Sequence, residues 1–245
     1  MTLVVIDPGH GVETAGKRSP DGTLREYEFN RDVSNRVSAY LESHGVKTKL
    51  TCTTANGLDP SNSVDLKKRV AYANTLKADY FVSMHANAYT DQWNSANGWE
   101  IYSYGLKGTG YNLAKAIQKQ SIPYLGIRDR GIKDGSGFYV IKHTAMPAVL
   151  IEHAFYTNKT ECDLLKSDSF REKCAIADAK GILAFLGIEW KCDKKASIYV
   201  NNKSVNFTSI EKDGVKYIPA KEMASVLNYE YKYDSTSDVI YLKTK

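Results

Sequence analysis

No stretch of this 245-residue chain holds the roughly 20 consecutive apolar residues that a bilayer-spanning helix requires, so a soluble protein is expected. The amino terminus has no charged lead and only four apolar residues in a row, Leu3 to Ile6, before Asp7-Pro8. It does not read as a secretory signal, and synthesis in the cytoplasm is expected. Cysteine is scarce: Cys52, Cys162, Cys174 and Cys192 never fall in a C-x-x-C spacing, which excludes a thiolate zinc ribbon and a thioredoxin-type centre. Reduced, structural thiols are expected, with a Cys162–Cys174 bridge left open. There is no G-x-S-x-G, so a serine nucleophile has no strand-to-helix elbow to occupy. Nor is there an internal repeat. The excess of 33 basic over 28 acidic residues, a formal charge of +5, is too small to argue for nucleic acid, yet suits an anionic polymer surface.

What the chain does have is enough apolar material, 42% of its residues, to bury an ordinary core. Up to about residue 188, short β-rich runs alternate with longer helical periodicity, the pattern of an α/β layer fold. Strands are predicted at residues 3–6, 46–51, 80–84, 99–104, 138–141 and 148–151, several of them too apolar to be half exposed. Phe29, Val33, Val37, Tyr40 and Leu41 share one helical face, with Gly45 as a stop. Similar faces recur around Leu66, Val70 and Ala73, around Leu113, Ala116 and Ile117, and from Phe170 to Phe185. The expected architecture is a six-stranded, mostly parallel or mixed sheet flanked by helices.

A polar stretch, Lys191-Cys192-Asp193-Lys194-Lys195, breaks the helical period and separates a domain of residues 1–189 from a small α+β domain of residues 195–245. In the latter, strands are predicted at 198–200, 215–218 and 239–242, turns at Asn201-Asn202 and 212–214, and a helix at 220–227. This segment is basic and rich in tyrosine, which fits polymer binding and equally fits tyrosines that only pack.

The chemistry gathers where predicted strands end. The first runs into Asp7-Pro8-Gly9-His10, the third into His85-Ala86-Asn87, and the last into Glu152-His153. In an open α/β sheet, sites collect outside the carboxyl ends of the strands. Two imidazoles delivered to one edge can converge on a metal, although either could equally be a hydrogen-bonded loop residue. Glu26 or Glu28 could add a third ligand, and Glu152 is placed to carry a proton. His44, at a helix end, reads as a partner of the helix dipole, and His143 as structural.

Four segments add a resemblance. Val4-Val-Ile-Asp-Pro-Gly-His-Gly11, Arg25-Glu-Tyr-Glu-Phe-Asn30, Phe81-Val-Ser-Met-His-Ala-Asn-Ala88 and Pro147-Ala-Val-Leu-Ile-Glu-His-Ala-Phe-Tyr-Thr-Asn158 are similar to the signatures of the Amidase_3 family of zinc-dependent N-acetylmuramoyl-L-alanine amidases, in the family's order. The resemblance implies Zn²⁺ on His10, Glu26 and His85, with Glu26 chosen over Glu28 by its spacing to Asn30. It implies Glu152 as the catalytic acid and base, and Asn30, Asn87 and His153 as supporting or substrate-facing residues. It also implies hydrolysis of peptidoglycan between N-acetylmuramic acid and L-alanine.

Val12-Glu13 and Ala154 depart from the family pattern and touch loop shape more than ligands. Residues 16–22 resemble the version found in phage and prophage lysins, which implies action on the wall after release from the cell. The tail resembles the small domain named for the copper amine oxidase amino terminus, implies no copper, and would hold the enzyme on the wall polymer. Two other readings keep the same residues: a zinc peptidase acting on another wall-peptide amide, and a wall-binding protein without activity.

Overall fold

Six short runs, most of them apolar, lie side by side as β1 (Leu3–Pro8), β2 (Lys47–Leu50), β3 (Tyr80–Asn87), β4 (Trp99–Ser103), β5 (Asp129–Asp134) and β6 (Ala148–Phe155), in the order β2-β1-β3-β6-β4-β5. This computed structural model describes residues 2–59, 61–191, 195–200, 203–208, 210–212, 215–217, 220–234 and 239–244. All neighbouring strands are parallel except β4, which runs antiparallel to β6. The sheet is therefore mixed, and the reversal has a consequence: the amino-terminal end of β4 lies at the same edge as the carboxyl ends of β1, β3 and β6. Glu100 on β4 stands opposite Glu152 on β6.

The helices are α1 (Glu26–Ser43), α2 (Asn62–Thr75), α3 (Gly108–Leu125), α4 (Tyr139–His143), α5 (Lys159–Lys166) and α6 (Asp168–Phe185). Strand side chains alternate between faces. Val4, Ile6, Val82, Met84, Val149 and Ile151 meet α1, α3 and α6 in the larger core, whereas Val5, Phe81 and Leu150 meet Val70 and Ala73 of α2 and Val140 and Ile141 of α4. Helices α3 and α6 approach so closely that a Cβ at Gly181 would lie 2.4 Å from the Cα of Ile117, so only glycine fits there.

Three departures from the sequence pattern have physical causes. Residues 138–141, predicted as a strand, turn into α4: the Asp134 side chain accepts from Ser136 N–H, the Phe138 N–H closes a turn onto the Gly135 carbonyl, and Phe138 O begins helical bonding. A four-residue apolar run cannot distinguish the two states by period. β5 was not expected because Asp-Arg-Gly-Ile-Lys-Asp is polar; it is an edge strand with a register shift, and charge there guards the open edge. α5 also escaped notice, although Asn158 caps it by accepting from Glu161 N–H. Cys52, Cys162 and Cys174 are buried free thiols, so the Cys162–Cys174 bridge is absent; Cys192 lies outside the described residues.

The chain divides into two units, Met1–Trp190 and Lys191–Lys245. In the second, β7 (Lys195–Val200) pairs antiparallel with β8 (Lys203–Thr208), β9 (Ile210–Lys212) with β10 (Val215–Tyr217), and β11 (Tyr229–Asp234) with β12 (Val239–Thr244), and α7 (Ala220–Val226) packs against β11. Of these, β8, β9 and β11 were not expected, and Asn201-Asn202 and Asp213-Gly214 lie outside the described residues. Among the described residues, no helix is long and apolar enough to cross a membrane.

Candidate metal centre

β1 ends in a turn that a sequence without special support would avoid. His10 has φ of +64°, uncommon for a residue with a Cβ, and a Cβ on Gly9 would strike the His85 ring. Buried Arg69 from α2 holds this turn. Its guanidinium donates to Asp7 Oδ1 (2.7 Å), to the carbonyls of Pro8 (2.6 Å) and His10 (2.9 Å), and to Asp65 (2.6 Å). Asp7 also accepts from Ser83 and Thr51. Burial works to raise the Asp7 carboxyl, but Arg69 and the two hydroxyls outweigh it and hold it below its usual range.

That turn delivers His10 to Glu26, the first residue of α1, and to His85 on β3. His10 Nε2 stands 3.4 Å from Glu26 Oε2, and His85 Nδ1 stands 2.9 Å from Glu26 Oε1. The imidazole rings meet edge to face at 4.9 Å, and one donor atom from each of the three residues lies within 4.8 Å of the others. Glu26 Oε1 accepts from Asn30, from the Ala86 N–H and from His85, while buried Oε2 has no hydrogen-bond partner among the described residues.

Burial, with the charges of His85, Lys17 and Arg69, pushes the His10 imidazolium down to about 4 against the pull of Glu26, so the ring is neutral at pH 7. Burial would raise Glu26, yet His10 and His85 bring its carboxyl down to about 2. A neutral imidazole, an ionised carboxylate with one oxygen left over, and a second imidazole form the donor set zinc prefers, and a tetrahedral site with bonds of about 2.1 Å separates ligand atoms by about 3.4 Å. The residues fit the ion that the family resemblance implied.

Glu152 projects from β6 onto the same face, at the wall of a cavity of about 260 Å³ lined also by His10, Glu26, His85, Asn87 and Tyr156. Its Oε2 is buried without a hydrogen-bond partner among the described residues. Burial first, and the Glu26 charge second, raise its carboxyl well above the ordinary value.

The remaining sequence candidates fall into separate places. Asn30 ties Glu26 to the Gly9 carbonyl (3.0 Å). Asn87 lines the cavity and donates to Glu100 (2.8 Å). Glu28 does not face the cavity; it accepts from the Arg25 N–H (3.3 Å) and caps α1. His153 is fully buried and packs against Phe29 of α1 and Asp178 of α6 rather than lining the cavity. His143 is exposed at the end of α4 against Tyr139, and His44 bonds the Tyr40 carbonyl at the end of α1.

Two residues were missed. Glu100 accepts from Asn87, Tyr102, Arg130 and Lys133, and those donors outweigh burial to hold its carboxyl at about 2. Arg69 was missed because the carboxylate it braces on β1, Asp7, lies 62 residues away. A buried arginine on the apolar face of a predicted helix was the one available signal.

Comparison with known proteins supplies the lineage. Residues 4–184 match the model of the family described as N-acetylmuramoyl-L-alanine amidase. The chain is 36% identical over 185 residues to N-acetylmuramoyl-L-alanine amidase LytC of Bacillus subtilis, covering 74% of this chain but only 35% of that relative. It is likewise 36% identical over 197 residues to the endolysin of Bacillus phage SPP1, covering 77% of this chain and 68% of the phage protein. The solved catalytic domain of the amidase CwlV from Paenibacillus polymyxa superposes with a TM-score of 0.69 at 33% identity, covering 77% of this chain and all of that domain. With its signature segments folded around one site, the chain belongs to the N-acetylmuramoyl-L-alanine amidase family.

Proposed function

We propose that this chain hydrolyses peptidoglycan at the amide joining the lactyl group of N-acetylmuramic acid to L-alanine, with one zinc ion held by His10, Glu26 and His85. One observation carries the reading: among the described residues, Glu26 and Glu152 each keep a buried oxygen without a hydrogen-bond partner beside two imidazoles in one cavity. Buried polar atoms are as a rule satisfied, and exceptions clustered at a cavity mark chemistry.

Zinc in such a site lowers the pKa of water towards neutrality and polarises a carbonyl. The protein's own part is proton handling and orientation. Glu152, with its carboxyl raised by burial, takes a proton at Oε2 and returns it to the leaving amine. Asn30 and the Ala86 N–H fix Glu26, Arg69 fixes the His10 turn, and Glu100 holds the Asn87 amide at the cavity wall. The small basic, tyrosine-bearing second unit is read as a wall-retention module, which a pull-down of the full chain and of residues 1–190 on purified walls would test. Relatives named as an N-acetylmuramoyl-L-alanine amidase and as a phage endolysin both support action on peptidoglycan.

Mass spectrometry of peptidoglycan digested by the zinc-loaded chain, beside a chelated sample, tests the reading. Stem peptides with a free L-alanine amino terminus, appearing only with metal, are expected. Cleavage at another amide would favour a zinc peptidase, and no cleavage a wall-binding protein.

A further inference from the structure

The face of the sheet away from the cavity carries a second buried polar group that the reaction does not use. His153 on β6 and Asp178 on α6 are both fully buried, and their side chains meet at 2.6 Å between Nε2 and Oδ2. Ser121 on α3 donates to the other oxygen of Asp178 (3.3 Å), and Phe29 lies edge-on to the imidazole. The remaining ring nitrogen, Nδ1, lies 2.9 Å from the backbone carbonyl of His85. A carbonyl only accepts, so Nδ1 carries the hydrogen and donates to it.

This contact falls where the β3–β6 ladder changes register: His85 pairs with Glu152, but Asn87 pairs with Phe155, so Ala86 faces two residues, His153 and Ala154. Bulges of this kind re-aim side chains beside functional sites. On its other side, Ala86 lies beyond the last paired residue of β1, Pro8, and its N–H donates to Glu26 Oε1 (3.2 Å). The carbonyl of His85 and the N–H of Ala86 belong to one planar peptide group. Asp178, His153, that peptide and Glu26 therefore form one chain of hydrogen bonds across β3. Donation to the carbonyl polarises the peptide and strengthens the bond its N–H makes.

We propose that His153, oriented by Asp178, is a positioning residue that fixes the His85–Ala86 peptide plane and through it aims both the His85 imidazole and the Glu26 carboxylate. The proposal rests on the metal-site reading for its effect on zinc, but not for its effect on Glu26. Neither residue touches substrate, so the pair acts only through the backbone.

A matched pair of full-length variants isolates the donor: His153→Leu with Asp178→Leu, against His153→Asn with Asp178→Leu. Both remove the buried carboxylate, but only asparagine keeps an N–H near the Nδ1 position. In chelator-treated protein, the Ala86 amide resonance is expected to move upfield and its hydrogen exchange to speed up about tenfold in the leucine form, and both to return towards wild type in the asparagine form. Zinc affinity, measured by competition with a chromophoric chelator, should fall about 10–100-fold in the leucine form and recover in the asparagine form.

Equal amide shifts and equal zinc affinities in the two forms overturn the proposal. If the leucine form fails to fold, Asp178→Asn alone decides: a partial upfield shift of Ala86 supports the relay, and a wild-type resonance overturns it. Wild-type protein that takes up no zinc overturns the metal reading instead, and the amide shift then decides whether the ring acts on Glu26.

Discussion

Two kinds of buried carboxylate meet at one sheet edge. Asp7 and Glu100 are saturated: Asp7 by Arg69, Ser83 and Thr51, and Glu100 by Asn87, Tyr102, Arg130 and Lys133. Glu26 and Glu152 each keep one oxygen without a hydrogen-bond partner among the described residues. Asp7, Glu26 and Glu100 are almost equally buried, at 1%, 1% and 3% exposure, yet of these three only Glu26 keeps an oxygen without a hydrogen-bond partner among the described residues, so burial alone does not make a site. A saturated carboxylate braces the backbone, and a frustrated one is available to a proton or a cation.

Glu152→Gln keeps the side-chain shape and removes the proton carrier. Release of stem peptides should fall about 10²–10⁴-fold, with zinc content and melting temperature unchanged. Retained turnover would mean that an unpartnered oxygen does not mark the chemistry. For the saturated group, Arg69→Met should instead strike stability, because it strands Asp7 and Asp65 in the interior. The expected cost is about 3–5 kcal/mol in urea unfolding, and a loss below about 1 kcal/mol would show that the turn at His10 holds without its brace.

These two groups differed in how legible they were. His10, His85 and Glu152 sit at the ends of apolar runs, where period and punctuation already placed them at one edge. Glu26 needed the family spacing, since Glu28 is two residues away and only the geometry shows it capping the helix. Glu100 was invisible for a topological reason: β4 runs antiparallel, so its beginning meets the ends of β1, β3 and β6, and a rule about carboxyl ends could not find it. Arg69 reads as an ordinary helix cation until the loop across the sheet brings Asp7 to it. β5 and α4 were misjudged because one is polar and the other too short for its period to show.

Glu100, the saturated carboxylate on β4, makes stability depend on pH. Its folded carboxyl is held at about 2 against an ordinary 4.5, so the stability it contributes is complete above 4.5 and is lost as pH falls through 2. Wild type should therefore exceed Glu100→Gln in melting temperature by a constant margin at pH 5 and above. That margin should narrow on acidification and vanish near pH 2. A margin that does not change with pH would mean that Arg130 and Lys133 do not depend on the charge.

The smallest effect separates two carboxylates on one turn of α1. Glu26 and Glu28 have the same side chain and neighbouring positions, yet one is buried at the cavity and the other bonds the Arg25 N–H at 3.3 Å. Glu28→Ala should cost only about 0.5–1 kcal/mol, the scale of a lost cap, and leave zinc affinity and turnover at wild-type levels. Its partner Arg25 precedes Glu26 directly, so a cap that mattered to the site would show as lost zinc without further lost stability. That outcome would move Glu28 into the metal site's support, and unchanged zinc would confine the site to the residue two positions before it.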